Sequence, residues 1–145
     1  MKNTTSSVFI AASAAVILLL GVVHLLYTFR GTMLHPRDPD LMAKMMTVSP
    51  VISQETTMWR VWVGFNATHS FGLILFGAMY GYLAMRHSAF LFHSWFLLAL
   101  GFAVLLGYAV IARLYFFTAP FRGVVLAAGL YLFGIVVNLA HLKSR

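Results

Sequence analysis

The sequence predicts an all-α protein, namely a four-helix transmembrane bundle with a short interfacial helix in its first loop. Two observations carry this prediction. Only 9% of the 145 residues are charged and 61% are hydrophobic, whereas a soluble domain carries about 25% charged residues. The apolar residues are also grouped into four long runs, each sufficient for a helix that crosses a bilayer.

The four runs predict membrane helices within a single transmembrane domain that covers residues 1–145. Backbone polar groups in lipid have to be satisfied within their own segment, which favours helices. The runs also lack the two-residue alternation of barrel strands. All four prolines lie outside the apolar centres, and Pro120 suits the first turn of the last helix. We therefore expect helices over residues 8–29, 58–85, 90–112 and 121–141.

The first loop, Arg30 to Thr57, holds all three acidic residues of the chain. Asp38-Pro39-Asp40 combines a capping acceptor, a proline at the first helical position and an acid near the positive helix end. It predicts an amphipathic helix over residues 39–47 that lies at the membrane interface. Ser49-Pro50 repeats the start signal, so the second membrane helix could begin as early as Pro50. The loop is either a simple connection or a lid over a cavity.

The charges exclude some functions and suggest an orientation. The net charge is +7, but the ten Lys and Arg residues are scattered singly beside apolar runs, which is typical of membrane anchors and not of a nucleic-acid surface. The absence of cysteine excludes disulfides and thiolate metal sites.

Four helices place both termini on one side of the membrane, in short segments that carry Lys2, Arg86, Lys143 and Arg145. We expect a cell-membrane protein with cytoplasmic termini, although the opposite side carries more basic residues.

Polar residues inside the predicted helices are the best functional signal, because such residues are expensive in lipid. On the second helix, Asn66 and His69 share a stripe with Trp59, Trp62 and Glu55. On the first helix, His24 and Tyr27 share a face. From the helical rise, His24, Asn66, His69 and Tyr108 all lie about 5–10 Å from the bilayer centre, in the half that the long loop covers.

Three interpretations of this convergence stay open. The side chains could form hydrogen bonds that only fix helix packing. They could instead line a binding or catalytic pocket. His24 and His69 could also be the axial ligands of a haem.

The pocket interpretation predicts a small lipophilic ligand such as a quinone, an isoprenoid or a lipid. Ligand contacts would come from Trp62 and from hydrogen-bonding side chains, while His24 or His69 could transfer protons as candidate catalytic residues. Arg60 and Arg113 could hold an anionic head group, and Glu55 could pair with one of them. The residues expected at the ligand are Tyr27, Glu55, Arg60, Trp62, Asn66, His69, Tyr108 and Arg113.

Two other functions remain as alternatives, and the sequence leaves open whether the protein is an enzyme. Small residues at Gly64, Thr68 and Gly72, and again at Gly77 and Gly81, permit close helix contact. They suit a non-enzymatic subunit or scaffold that forms a homo-oligomer or packs on a partner membrane subunit. A haem-binding electron carrier is the second alternative.

One stretch resembles a known group of proteins. Residues 56–70 read TTMWRVWVGFNATHS, and LHPRD precedes them at residues 34–38. Together they resemble a family of small, uncharacterised four-helix bacterial membrane proteins, and the resemblance extends over nearly the whole chain. It implies a four-helix membrane fold and no particular activity.

Overall fold

The structure, a computed structural model, describes residues 4–143; Lys2 and Arg145 lie outside them. The regular secondary structure of this part of the chain consists of α-helices, with no strand. Four of its helices are long and apolar enough to cross a membrane, so the chain is a multi-pass membrane protein. The helices are α1 (Thr4–Phe29), α2 (Pro39–Thr47), α3 (Met58–Arg86), α4 (Ser88–His93), α5 (Trp95–Tyr115) and α6 (Thr118–Lys143).

The first loop begins where α1 stops and contains the predicted short helix. Gly31 has a φ of +87°, a left-handed conformation that glycine adopts without steric cost and that prevents the helix from continuing. Helix α2 has the predicted bounds, because the Asp38 carboxylate accepts the Asp40 backbone N–H at 2.9 Å and Pro39 begins the first turn. None of the residues of α2 is buried.

An early start of the second membrane helix at Pro50 is wrong. Pro50 instead opens a turn in which its carbonyl accepts the Ser53 N–H at 3.3 Å. Helix α3 begins at Met58, and the Thr57 hydroxyl accepts the Arg60 N–H at 3.4 Å, which is the usual role of a capping threonine. Glu55 therefore lies in the loop and does not belong to the polar stripe of α3.

The third apolar run is not one helix over residues 90–112. It is divided at Ser94 into α4 and α5. The Ser94 hydroxyl accepts the Leu97 N–H at 3.3 Å, while the Ser94 N–H donates to the Leu91 carbonyl at 3.2 Å. A serine side chain that caps a new helix competes with continuation of the preceding one, and this ends α4 after only six residues.

The chain divides into two compact units, the first consisting of residues 1–20 and 73–145 and the second of residues 21–72. Within the first unit, the Ser13 hydroxyl donates to the Ala127 carbonyl at 2.7 Å and thereby joins α1 to α6. The Tyr80 and Tyr131 hydroxyls both donate to the Leu97 carbonyl, at 2.8 and 3.5 Å. These bonds satisfy buried hydroxyl groups where lipid offers no partner.

The segments of α1 and α3 in the first unit approach each other at Gly77. A methyl group added at this glycine would lie 2.7 Å from both the Ala14 carbonyl oxygen and the Leu18 Cβ. Backbone atoms cannot move aside as the end of a flexible side chain can. Glycine at this position is therefore required by the distance between the two helices.

We predict that Gly77→Ala lowers the free energy of unfolding by about 1–3 kcal/mol, the usual cost of overpacking. Gly64→Ala is the matched control on the same helix, because no atom lies within 4 Å of its added methyl group. Alanine is the better helix former, so the control should be as stable as the wild type or slightly more stable. Loss of helical circular dichroism during titration with a denaturing detergent measures both changes, and equal effects would contradict the close-approach explanation.

Candidate functional site

Three of the predicted polar side chains come together in the second unit. His24 lies on α1, and Asn66 and His69 lie on α3. Asn66 is buried, whereas both histidines are half-buried. We call this group the His24–Asn66–His69 cluster. It lies within helices that are candidate membrane spans, so its polar groups need partners inside the protein.

The orientation of the Asn66 side chain follows from its hydrogen bonds. Its amide nitrogen Nδ2 donates to the Trp62 carbonyl at 2.8 Å, and a carbonyl oxygen can only accept. Oδ1 of the same amide is therefore directed to His24 Nε2, at 3.0 Å. Because Oδ1 is an acceptor, Nε2 carries the proton. In the neutral ring, Nδ1 of His24 is then the acceptor atom.

The two histidine rings are in direct contact. Their centroids are 5.3 Å apart and their planes are inclined by 87°, which is an edge-to-face arrangement. Two hydroxyl groups bond to the backbone beside the cluster: Thr28 Oγ1 donates to the His24 carbonyl at 2.8 Å, and Ser70 Oγ donates to the Asn66 carbonyl at 2.9 Å. Both hydroxyls bond one helical turn back, so they are satisfied without occupying the side chains of the cluster.

The first loop is attached to the helix that carries Asn66. The Trp62 indole N–H donates to the Leu34 carbonyl at 3.1 Å, and the His35 ring contacts Trp59 edge to face at 4.8 Å between centroids. Trp62 thus donates to the loop through its ring and accepts from Asn66 through its carbonyl. Residue types gave no signal for the Leu34 contact, because a backbone acceptor has no sequence signature.

The other residues expected at the ligand are distributed over α1, the first loop, the start of α3 and α5. Tyr27 is on α1 and is exposed, as are Glu55 in the first loop and Arg60 in the first turn of α3. Tyr108 and Arg113 are on α5 and belong to the first unit, where Tyr108 is half-buried and Arg113 is exposed. Within the second unit, direct contacts join His24 to Asn66 and to His69, and the Trp62 carbonyl accepts from Asn66.

The ring arrangement does not fit the haem alternative. Axial ligands bind one iron from opposite faces of a porphyrin, which would have to lie between the two imidazoles. The His24 and His69 rings instead contact each other, and His24 Nε2 is directed to Asn66. Within residues 4–143, no group of three or more His, Asp or Glu side chains is placed to hold a metal ion.

A groove of about 570 Å³ lies in the first unit and shares no residue with the cluster. It is formed by the beginning of α1, the end of α3 and the first residue of α4, and seven of its nine lining residues have small side chains. The lining residues are Thr4, Ser7, Val8, Ala11, Ala12, Ala15, Ala84, Met85 and Ser88.

Comparison with known proteins gives no relative of this chain: no protein-family model, no curated protein and no solved structure matches it. Membership of the small bacterial four-helix family therefore stays a prediction. Functional inference depends on the chemistry of the cluster itself. The cluster offers one side-chain amide and two imidazoles, all of which can donate and accept hydrogen bonds.

We predict that His24 is protonated at Nε2 and not at Nδ1 when its ring is neutral. Nitrogen-15 NMR of the histidine-labelled protein at mildly alkaline pH distinguishes the two tautomers, and His24→Phe identifies the His24 signals by their loss. Asn66→Leu should remove the hydrogen-bond shift of the Nε2 proton. A His24 ring protonated at Nδ1 would contradict the assigned orientation of Asn66.

Proposed function

We propose that this protein binds the polar head of a small lipophilic molecule at the His24–Asn66–His69 cluster, within the membrane. The observation that supports the proposal most directly is the hydrogen bond between His24 and Asn66 beside the His69 ring. Hydrogen bonds between such side chains can also fix helix packing, with a modest gain in stability for each bond. Two histidines and an asparagine in contact are nevertheless a functional-site signal by default in a membrane helix.

A quinone fits the cluster better than the other two ligand classes. The cluster contains no residue with a permanent charge, while a quinone presents two uncharged carbonyl oxygens that accept hydrogen bonds from imidazole or amide N–H groups. A lipid or isoprenoid phosphate would require a cation. Arg60 is exposed, six residues before Asn66 on α3, so an anionic head group would be held nearer the end of the helix.

The hydroxyl groups of a quinol, the reduced form of a quinone, hold exchangeable protons, and histidine is the side chain best suited to exchange protons near neutral pH. His24 and His69 are therefore the candidate residues for proton transfer. With its Nε2 proton directed to Asn66, His24 offers Nδ1 as a proton acceptor. His69, in edge contact with His24, is the second imidazole through which a proton could move.

The alternative function, a subunit or scaffold of a membrane complex, is favoured by the groove of the first unit. Small side chains such as Ala11 and Ala15 let another helix approach closely, and the groove is open and mostly apolar. A second copy of the chain or a partner membrane subunit would fill it. The quinone experiment below, combined with native mass spectrometry of membrane extracts, separates this alternative from ligand binding.

We also propose that the protein resides in the cell membrane with both termini in the cytoplasm. The positive-inside rule supports this orientation through the short, basic segments at Arg86 and Lys143. Lys2 and Arg145, which contribute to the same argument, lie outside the described residues. The first loop would then face the outside of the cell.

We predict that a short-chain benzoquinone, added to the protein in lipid nanodiscs, quenches the tryptophan fluorescence in a saturable manner. Asn66→Leu and His69→Phe should each weaken the apparent affinity by about two- to tenfold, because one hydrogen bond contributes about 0.5–1.5 kcal/mol. Asn138→Leu is the matched control, since it removes an asparagine that is as buried as Asn66 but lies on α6.

Unchanged affinity in both cluster variants would contradict the ligand site. If these variants bind normally but unfold more easily, the cluster serves packing. If the wild type binds no quinone and is recovered as a discrete complex with a partner, the subunit alternative is correct.

We predict that Gln54→Cys reacts with a membrane-impermeant maleimide in intact cells. The side chain of Gln54 is exposed in the first loop, and the wild type contains no cysteine that would give a background signal. Reaction only after the cells are permeabilised would place the loop in the cytoplasm and reverse the proposed orientation.

A further inference from the structure

The segment Val48–Met58, between α2 and α3, is a closed loop. The Met58 N–H donates to the Val48 carbonyl at 2.8 Å, which joins the two ends. Inside the loop, the Ser53 N–H donates to the Pro50 carbonyl at 3.3 Å and the Glu55 N–H donates to Ser53 Oγ at 3.2 Å. Compact surface loops of this length with joined ends are often functional.

The tip of this loop carries two large apolar side chains with no contact that shelters them. Val51 is fully exposed and Ile52 is 93% exposed. Turn positions are usually occupied by glycine, proline or small polar residues, and Pro50 and Ser53 fit this description. Two β-branched aliphatic residues between them are unexpected in water, so the environment of the tip requires an explanation.

The base of the loop lies at the end of a candidate membrane span. Met58 is both the donor that closes the loop and the first residue of α3. Val51 is three residues from Val48, so its Cα lies within about 10 Å of the base. The polar interfacial layer on each side of a bilayer is about 5–8 Å thick. The tip can therefore reach the boundary between head groups and acyl chains.

We propose that Val51 and Ile52 insert into the lipid interface and anchor the first loop to the membrane surface. Apolar side chains are also exposed at the base of the loop, namely those of Val48, Met58 and Val61. In α3 this surface belongs to a candidate membrane span and faces lipid. The occupant of the loop tip is accordingly the acyl region of the same bilayer.

The charges of the first loop indicate whether head-group charge or the apolar acyl region drives insertion of the loop tip. Three basic residues, Arg30, Arg37 and Lys44, are balanced by Asp38, Asp40 and Glu55. A segment with no net charge gains no general attraction to anionic head groups. Insertion then depends on apolar burial and should be independent of lipid charge.

The absence of native cysteine allows a direct test by single spin labels on the full-length protein in nanodiscs. Labels at Val51→Cys and Ile52→Cys should be accessible to oxygen and protected from a water-soluble nickel chelate. The label at Gln54→Cys, on the exposed polar side of the same loop, should show the reverse. We expect the same result in purely zwitterionic lipid and in lipid that contains anionic phosphatidylglycerol.

Three outcomes would overturn the proposal. Labels at positions 51 and 52 that are as accessible to nickel as the label at position 54 would show that the tip stays in water. Protection only in anionic lipid would assign the contact to head-group charge. Protection in native membranes but not in nanodiscs would assign the tip to a protein partner.

Discussion

Lipid provides no hydrogen-bond partner, so every polar side chain in the membrane helices has to find one within the chain. In this protein the solution is repeatedly a backbone carbonyl. Ser13 bonds to the Ala127 carbonyl, Tyr80 to the Leu97 carbonyl and Asn66 to the Trp62 carbonyl. The first two bonds join different helices and so determine packing. The third is internal to α3, and it leaves the second polar atom of Asn66 directed to His24.

The same rule connects the first loop to the candidate site through an ordered series of bonds. The Leu34 carbonyl accepts from the Trp62 ring, the Trp62 carbonyl accepts from Asn66, and Asn66 accepts from His24. Trp62 and Asn66 each use two groups, one for each neighbour in this series. Positioning of the His24 ring is thus mechanically linked to the segment that precedes α2.

Most of the fold was predictable because its signals are local. Long apolar runs located the four membrane spans, and Asp38-Pro39-Asp40 located α2 to the residue. Ser94 was missed since a single serine within an apolar run does not reveal whether its hydroxyl caps a new helix. Ser49-Pro50 is ambiguous for a related reason: the same residues can start a helix or a turn, and only the closing bond from Met58 to Val48 decides between them.

The candidate site was predictable in part. Helical depth and period brought His24, Asn66 and His69 together correctly, because all three lie on regular helices. Glu55 was placed wrongly on the same stripe, since that inference depended on helix α3 beginning too early. The haem alternative was based on depth alone, and depth gives no information on the edge-to-face contact of the two rings.

The break at Ser94 also limits the bilayer thickness that the protein can match. It leaves α5 with 21 residues, a length of about 31 Å, which is close to the thickness of the hydrocarbon core. Its neighbour α6 has 26 residues and can adapt to a thicker membrane by tilting. Helix α5 has no extra length with which to adapt by tilting. Hydrophobic mismatch would therefore act on the protein through this one helix, and a membrane much thicker than average would have to thin around it.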